Sequence, residues 1–590
     1  MCTTISARLG RLAGRTLYPP VMRALLALTL FALPASAARP YRGGVVAAAH
    51  PLASAAGAEL LDQGGNAIDA VVAGAFTMAV VGPYHSGLGG GGFAVLKVPA
   101  GEFAFDFREV APAGASRDMF LEDNQVVPGL STDGALSVAV PGAVKGYLEI
   151  HERYGKLSRA KVLAPAIRAA LEGFPVTPKY QALASLREAC LRKDPEAARL
   201  FLRPNASGLP SVPAIGTVIT QPELAKTLKA LAAKGASAFY EGPTARAIAA
   251  TIKANGGVLN EADLKAYRTR WRAPLEGQYR GHRILTMPPP SGGGITLLQV
   301  LGVLEAKGPR GTATREVETL HVFIEALRRA GVDRARFVGD PDVQTVPTAE
   351  LISKAWVDKT LASIDPRRAT RSITLSPPEL KPATGPLDKG LKPQNTTHLS
   401  VIDKAGNAAA LTTTVNYAFG SCLVAKGTGV LLNDEMDDFA AQPGTPNAYG
   451  LVTLEANAVA PGKIPLSSMT PTLVFMKDAP NEVMLAVGSP GGSTIPTTVL
   501  QVISNVIDGA LDPVRAVGMG RLHHQWLPDE VMVDRTGLEP ATVSALQALG
   551  HTISRLEGWG DAEAVFVDPL TRLRFAGSDP RNEGAPAGQE

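Results

Sequence analysis

Between Ser376 and Asn395 the chain runs through a polar stretch holding five prolines and two glycines. Proline has no amide hydrogen to give a helix or a central strand, so neither can pass through this stretch, which is expected to be exposed. It is the strongest internal boundary in the sequence. Directly behind it, Thr396–Asp403 and Ala408–Asn416 are strand-like, and Lys404-Ala405-Gly406-Asn407 between them is turn chemistry, which together predict a β-hairpin. With the turn centred near Ala405, antiparallel pairing sets Thr396 across from Thr414. Two hydroxyls then meet where a rigid strand emerges from a break in the chain.

A threonine-rich hairpin needs no function, because β-branched residues suit strands. The same placement also fits an N-terminal nucleophile. A threonine hydroxyl is weak until a base takes its proton, and the nearest base is the residue's own α-amine, with an ordinary pKa of about 7.7 to 8.0. Thr396 owns a free amine only if the Asn395–Thr396 bond is cut.

The remaining sequence bounds the setting. The 590 residues carry 58 Lys plus Arg against 54 Asp plus Glu and are 45% hydrophobic, a composition of folded proteins rather than disordered ones. Four arginines and no acid fall within residues 1–37, ahead of an apolar run, Ala24–Leu33, and the small-residue site Ala35-Ser36-Ala37. That order predicts a signal peptide cut before Ala38, since ten apolar residues are about half of what spans a bilayer. A stable membrane anchor is therefore not expected. Without the signal the positive and negative side chains balance, so the chain's basic excess gives no support to a nucleic-acid partner. The protein is expected to be exported, to a periplasm or beyond the cell, with Cys190 and Cys422 as its cysteines and their pairing open. Helices are predicted at Pro51–Gln63, at Ala67–Val81 behind an Asn66 cap, and near 156–173, 222–234, 243–255 and 314–330, with a strand at Phe93–Val98.

Several segments resemble the γ-glutamyltranspeptidase family. They include Lys392-Pro393-Gln394-Asn395-Thr396-Thr397-His398, Gly429–Phe439, Pro465-Leu466-Ser467-Ser468-Met469 and Gly488-Ser489-Pro490-Gly491-Gly492-Ser493. In the first half come Gly64–Ala70, the Ser86–Phe93 turn, Asp106-Phe107-Arg108-Glu109-Val110-Ala111-Pro112, Met287–Gly293 and Val338–Asp342, and near the end Arg521–Trp526 and Ser578–Arg581. Nearly all of the chain after the export segment is covered, in the family's order.

The resemblance implies an α+β fold, a four-layer αββα sandwich of the N-terminal-nucleophile hydrolase type. It implies self-cleavage at Asn395–Thr396 into a large subunit, 38–395, and a small one, 396–590, which stay associated. Thr396 would then be the nucleophile, with Thr414 hydrogen-bonded to it. Gly491 and Gly492 would supply the oxyanion amides. Arg108, Ser467 and Ser468 would hold a glutamyl α-carboxylate, and Asn416, Glu435 and Asp438 its α-ammonium. Gln442–Gly450 resembles a lid loop found in some members, with Tyr449 as its closing side chain. The implied reaction passes the γ-glutamyl group of glutathione or a related donor through a Thr396 ester to water, an amino acid or a dipeptide, with no cofactor and no metal. Two alternatives stay open: a cephalosporin (glutaryl) acylase on the same fold, or an uncut binding or scaffold protein. Read without the resemblance, Arg108 is a surface residue paired with Asp106 or Glu109.

Other signals fall away on context. Gly87–Gly92 satisfies G-x-G-x-x-G, but a dinucleotide turn needs a strand before it and a helix after it, and the predicted order is the reverse. His523-His524 would point to opposite faces of a strand, with no carboxylate or cysteine at ligand spacing. There is no G-x-S-x-G elbow. Asn395-Thr396-Thr397 matches a glycosylation sequon, taken as chance because Asn395 belongs to the scissile bond.

Overall fold

The computed structural model describes residues 38–308, 311–377, 380, 395–447 and 449–590. The export segment, Cys2 and most of the Pro-rich stretch lie outside the described residues.

Two large antiparallel sheets share fourteen strands. In chain order these are β1 (Pro40–Tyr41), β2 (Val45–Ala48), β3 (Gly91–Val98), β4 (Gly101–Asp106), β5 (Arg270–Arg272), β6 (Leu275–Tyr279), β7 (His282–Thr286), β8 (Thr397–Ile402), β9 (Ala408–Thr414), β10 (Thr472–Phe475), β11 (Val483–Gly488), β12 (Glu563–Val567), β13 (Arg574–Ser578) and β14 (Ala587–Gly588). One sheet has the order β5-β4-β3-β9-β8-β2-β14 and the other β1-β13-β12-β11-β10-β7-β6. The helices used below are α1 (Pro51–Asp62), α2 (Ala67–Val81), α3 (Ala143–Tyr154), α4 (Arg159–Glu172), α5 (Pro178–Leu191), α6 (Pro222–Lys234), α7 (Gly242–Ala254), α8 (Gly293–Lys307), α9 (Val317–Phe337) and α10 (Ile495–Ile507).

The sheets face each other, α1 to α3 cover the outer side of the first, and α8 and α10 cover the outer side of the second. This is the expected αββα order. Burial on both faces follows from strand parity. Val46, Ala94, Leu96, Leu399, Val401, Ala409 and Leu411 pack toward the helices, while Val45, Phe93, Val95, Ile402, Ala408 and Ala410 pack between the sheets. Residues Pro40–Glu590 make one compact unit, so the sequence break at 376–395 is not a domain boundary. Strands from beyond it, β8 and β9, sit between β3 and β2 from before it.

Local chemistry explains where the helices begin and end. Asn66 caps α2 and Asp69 closes the capping box, and all fifteen residues of α2 are buried, as its apolar composition on every side requires. The Asp69 carboxylate also accepts the amides of Lys156 and Leu157, which delays α4 to Arg159 instead of 156. Helices α6 and α7 fall within a residue of expectation. Helix α9 starts later and runs on to Phe337, because Thr312–Thr314 form a 3-10 turn with Arg315 left-handed behind it, while good helix formers continue past 330.

Of the stretch expected to be exposed, Ser376, Pro377, Leu380 and Asn395 are described, and Pro377 and Asn395 are buried. Leu380 packs beside Trp526 and Val452. The ends of the stretch are thus anchored in the protein. No helix among the described residues is long and apolar enough to cross a membrane. Cys190 and Cys422 are joined as a disulfide.

Candidate active site

The hairpin register is the predicted one: Thr397 pairs with Thr413 and Ile402 with Ala408, which places Thr396 opposite Thr414. Their hydroxyls lie 3.1 Å apart, and the Asn416 amide donates to Thr414 Oγ1 at 2.9 Å, fixing that hydroxyl's orientation. Parity sends the even-numbered residues of β8 and β9 between the sheets. There His398 is bonded to Thr412 and Ser400, and burial pulls its pKa down to about 3, so the ring is neutral. Thr396 itself is buried and has a φ of 110°, a conformation that ordinarily favours glycine and costs a non-glycine residue about 1–3 kcal/mol.

The glycine-rich turn before β3 serves this hairpin rather than a nucleotide. A Cβ on Gly90 would lie 1.9 Å from the Thr414 carbonyl oxygen, so only glycine lets the turn pass beneath the pair of threonines.

Thr396 and Thr414 open onto a small cavity that is also lined by Arg108, Asn416, Glu435, Asp438, Tyr449, Ser467, Ser468 and Gly492. Ten of the eleven site residues expected from the sequence therefore meet at one place, and Gly491 adjoins it through Gly492. Gly491 and Gly492 lie in the turn that leads into α10, where the positive end of the helix faces the cavity. Gly492 has a φ of 53°, and a Cβ there would come within 2.6 Å of the Tyr449 ring. Tyr449 is buried and donates its hydroxyl to the Asn416 carbonyl at 2.9 Å.

Arg108 is not the surface residue that its neighbours suggest. It is 1% exposed and forms ion pairs with Glu435 and Asp438, more than 320 residues away in sequence. Asp106 pairs with Arg272 instead. Burial opposes the Arg108 charge, but Glu435, Asp438 and Glu109 together outweigh it and hold the guanidinium protonated. Three carboxyls thus share Arg108, and Asp438 also lies in the field of Arg334. Burial drives Glu435 well above the usual carboxylate range against the pull of Arg108, and drives Glu109 up to about 7. A hydrogen bond between the Glu435 and Glu109 carboxyls opposes part of the Glu109 shift. Acids outnumber arginines at the site, and burial offsets the imbalance by favouring the acid forms of Glu435 and Glu109.

Two residues here escaped the sequence reading. Glu109 stands in a quoted motif but was read only as a surface partner of Arg108. Arg334 donates to Ser468 Oγ at 3.0 Å, and burial lowers its pKa to about 10. Nothing in the arginine-rich helix α9 sets it apart from Arg328, Arg329 and Arg336. His523 and His524 diverge as expected, to Thr497 and Asp529, although the Asp529 contact at 3.4 Å is a carboxylate that local spacing missed.

The sequence profile described as Gamma-glutamyltranspeptidase matches residues 53–589. A glutathione hydrolase proenzyme of Pseudomonas sp. (strain A14) is 38% identical over 581 residues, covering 96% of this chain and 98% of that protein. Among solved structures, a cephalosporin acylase from Bacillus halodurans is similar at a TM-score of 0.79 with 27% identity, over 94% of this chain and 97% of that one. A γ-glutamyltranspeptidase from Helicobacter pylori is similar at a TM-score of 0.53 with 37% identity, over 58% of this chain and 96% of that one. The chain belongs to the γ-glutamyltranspeptidase family.

Proposed function

We propose that this protein is an exported γ-glutamyltransferase and glutathione hydrolase that cuts itself between Asn395 and Thr396. The observation that carries this reading is the excess of buried acid around Arg108. A γ-glutamyl donor brings an α-ammonium and an α-carboxylate on one carbon. The carboxylate can take over Arg108, with Ser467 and Ser468 beside it, while the ammonium replaces the guanidinium in front of Glu435, Asp438 and the Asn416 amide. Every buried charge keeps a partner through the exchange, which an uncharged ligand could not achieve.

The chemistry follows from what lies at the other end of the cavity. Scission relieves the strained backbone of Thr396 and frees its amine, which takes the proton from Oγ1 directly or through a water. The oxygen attacks the γ-carbonyl, and the developing oxyanion is met by the Gly491 and Gly492 amides at the head of α10. The amine passes its proton to the departing nitrogen, and a γ-glutamyl ester remains on Thr396. Water, an amino acid or a dipeptide then resolves it in a second half-reaction. Tyr449, held to the Asn416 carbonyl, closes the cavity over the ester. Export is supported by residues 1–37 and by the disulfide, which suits an oxidising compartment.

The test is made on the purified full chain. Two fragments are expected under reducing denaturation, the smaller beginning at Thr396, together with release of cysteinylglycine from glutathione. Thr396→Ala is expected to stay uncut and to lose at least about 10⁴-fold in turnover. A Thr396→Ala protein that is still cut and still active would sink the reading.

The fold similarity to a cephalosporin acylase supports a second reading, in which the acyl chain is glutaryl. Glutaryl has no ammonium and would leave the acids around Arg108 uncompensated. A glutaryl anilide turned over faster than a γ-glutamyl anilide would reverse the order.

A further inference from the structure

Cys190 stands near the end of α5 and Cys422 in the loop that follows β9. The disulfide between them spans 232 residues of sequence, and the Asn395–Thr396 bond lies inside that span. We infer that this disulfide is a covalent bond between the two processed chains, and that it anchors the loop bearing Asn416 to the large one. The inference rests on the scission proposed above.

The loop needs an anchor. Asn416, Phe419, Gly420 and Cys422 all have positive φ, between 49° and 72°, and two of them, Phe419 and Cys422, carry side chains that disfavour it. Helix α5 holds this loop from one side. Arg187, one turn before Cys190, donates to the Gly420 carbonyl at 3.0 Å and lies 4.9 Å from the centre of the Tyr417 ring. From Tyr417 the contacts continue into the site: its amide donates to Asp434 at 2.8 Å, and the Asp434 carbonyl accepts from Asn416 Nδ2 at 3.1 Å. In an uncut chain the peptide backbone joins α5 to this loop in any case. After scission only noncovalent packing and the disulfide do so. A covalent tie keeps the loop at a high effective concentration beside α5, so that a transient opening recloses.

Formation of the bond balances simply. Two thiols give up two protons and two electrons to a disulfide-bearing protein oxidant, which leaves as a dithiol. Cys190 is 8% exposed and Cys422 1%, which shields the bond from attack by glutathione, itself a thiol.

The experiment is a denaturing gel of the full chain after thiol alkylation, with and without reductant. The expected result is one full-size species without reductant and two fragments with it. Two fragments under both conditions, with Cys190 and Cys422 alkylated, would overturn the disulfide and leave the proposed scission standing. A single species under both conditions would overturn the scission, and with it any bond between chains. In the Cys190→Ser/Cys422→Ser double variant, processing is expected to persist while KM for the γ-glutamyl donor rises about fivefold and kcat changes little. An unchanged KM would overturn the anchoring role.

Discussion

Two buried arginines sit in different surroundings. Arg108 and Arg521 are 1% and 2% exposed, and each is paired with carboxylates brought from elsewhere in the chain. Asp579 is bound by both Arg521 and Arg581, the latter shared with Asp534, and its oxygens also accept the amides of Ala562 and Arg581. Arg521 in turn donates to the carbonyls of Trp559 and Val517 at 2.7 and 2.6 Å. Burial disfavours the Asp579 anion, but the two arginines outweigh it and the pKa falls below the usual value. Around Arg108 the acids outnumber the arginines, and Glu435 and Glu109 are driven upward. The Asp579 carboxylate, bonded by two arginines and two backbone amides, ties strand ends together. The carboxyls Glu435 and Asp438 line a cavity instead, and under the proposed function they face the donor's ammonium.

Replacing each arginine gives the strongest test of that contrast. Arg521→Met strips a paired buried carboxylate of one cation and is expected to destabilise the protein by about 3–5 kcal/mol, read by thermal or chemical denaturation. Arg108→Met is expected to cost roughly a thousandfold in kcat/KM for a γ-glutamyl donor, with a smaller stability loss because Glu435, already biased toward its acid form, takes up a proton. If Arg108→Met unfolds as readily as Arg521→Met and the folded fraction keeps full activity, the distinction collapses.

Asp438→Asn sharpens it at one partner. Loss of one acid that faces the ammonium is expected to raise KM about a hundredfold with a modest change in kcat, and an unchanged KM would remove Asp438 from substrate binding.

The pH dependence of stability should differ in sign between Glu109 and Asp579. Glu109 is raised from its ordinary value to about 7, so its contribution favours the fold at low pH and is lost as pH climbs through 7. Asp579 is depressed, so its contribution is present above its unfolded pKa and is lost as pH falls through the folded one. Glu109→Gln is therefore expected to be more stable than the parent at pH 8 and to lose that advantage at pH 5. Equal stability differences at both values would show that Glu109 is not held in its acid form.

The smallest expected effect belongs to Tyr449. Tyr449→Phe deletes the hydroxyl that binds the Asn416 carbonyl, at a cost of about 1 kcal/mol, or roughly fivefold in KM. Steady-state kinetics at fixed acceptor would detect it.

Local sequence carried the elements built from near neighbours. Proline exclusion, turn chemistry and antiparallel arithmetic located the hairpin, and they set Thr396 against Thr414, where the hydroxyls are found 3.1 Å apart. Capping chemistry located α2 to the residue. The resemblance carried the rest of the site list, and ten of its eleven residues line one cavity. The ion-pair partners of Arg108 were beyond reach of local reading, because its nearest neighbours in sequence offered Asp106 or Glu109 as mates. The same holds for Arg334 and Ser468, on elements that only the packing of helix on sheet brings together.

By itself, then, the sequence determined where the chain changes from helix to strand, where the hairpin turns and which side chains share a strand face. Those outcomes depend on bonds and sterics reaching a few residues along the chain. Tertiary structure alone decided which carboxylates surround Arg108, that Cys190 meets Cys422, and that the Pro-rich stretch has buried ends. Each of these is a contact between segments far apart in the chain, and its charge balance depends on burial, which no residue acquires until the two sheets close on each other.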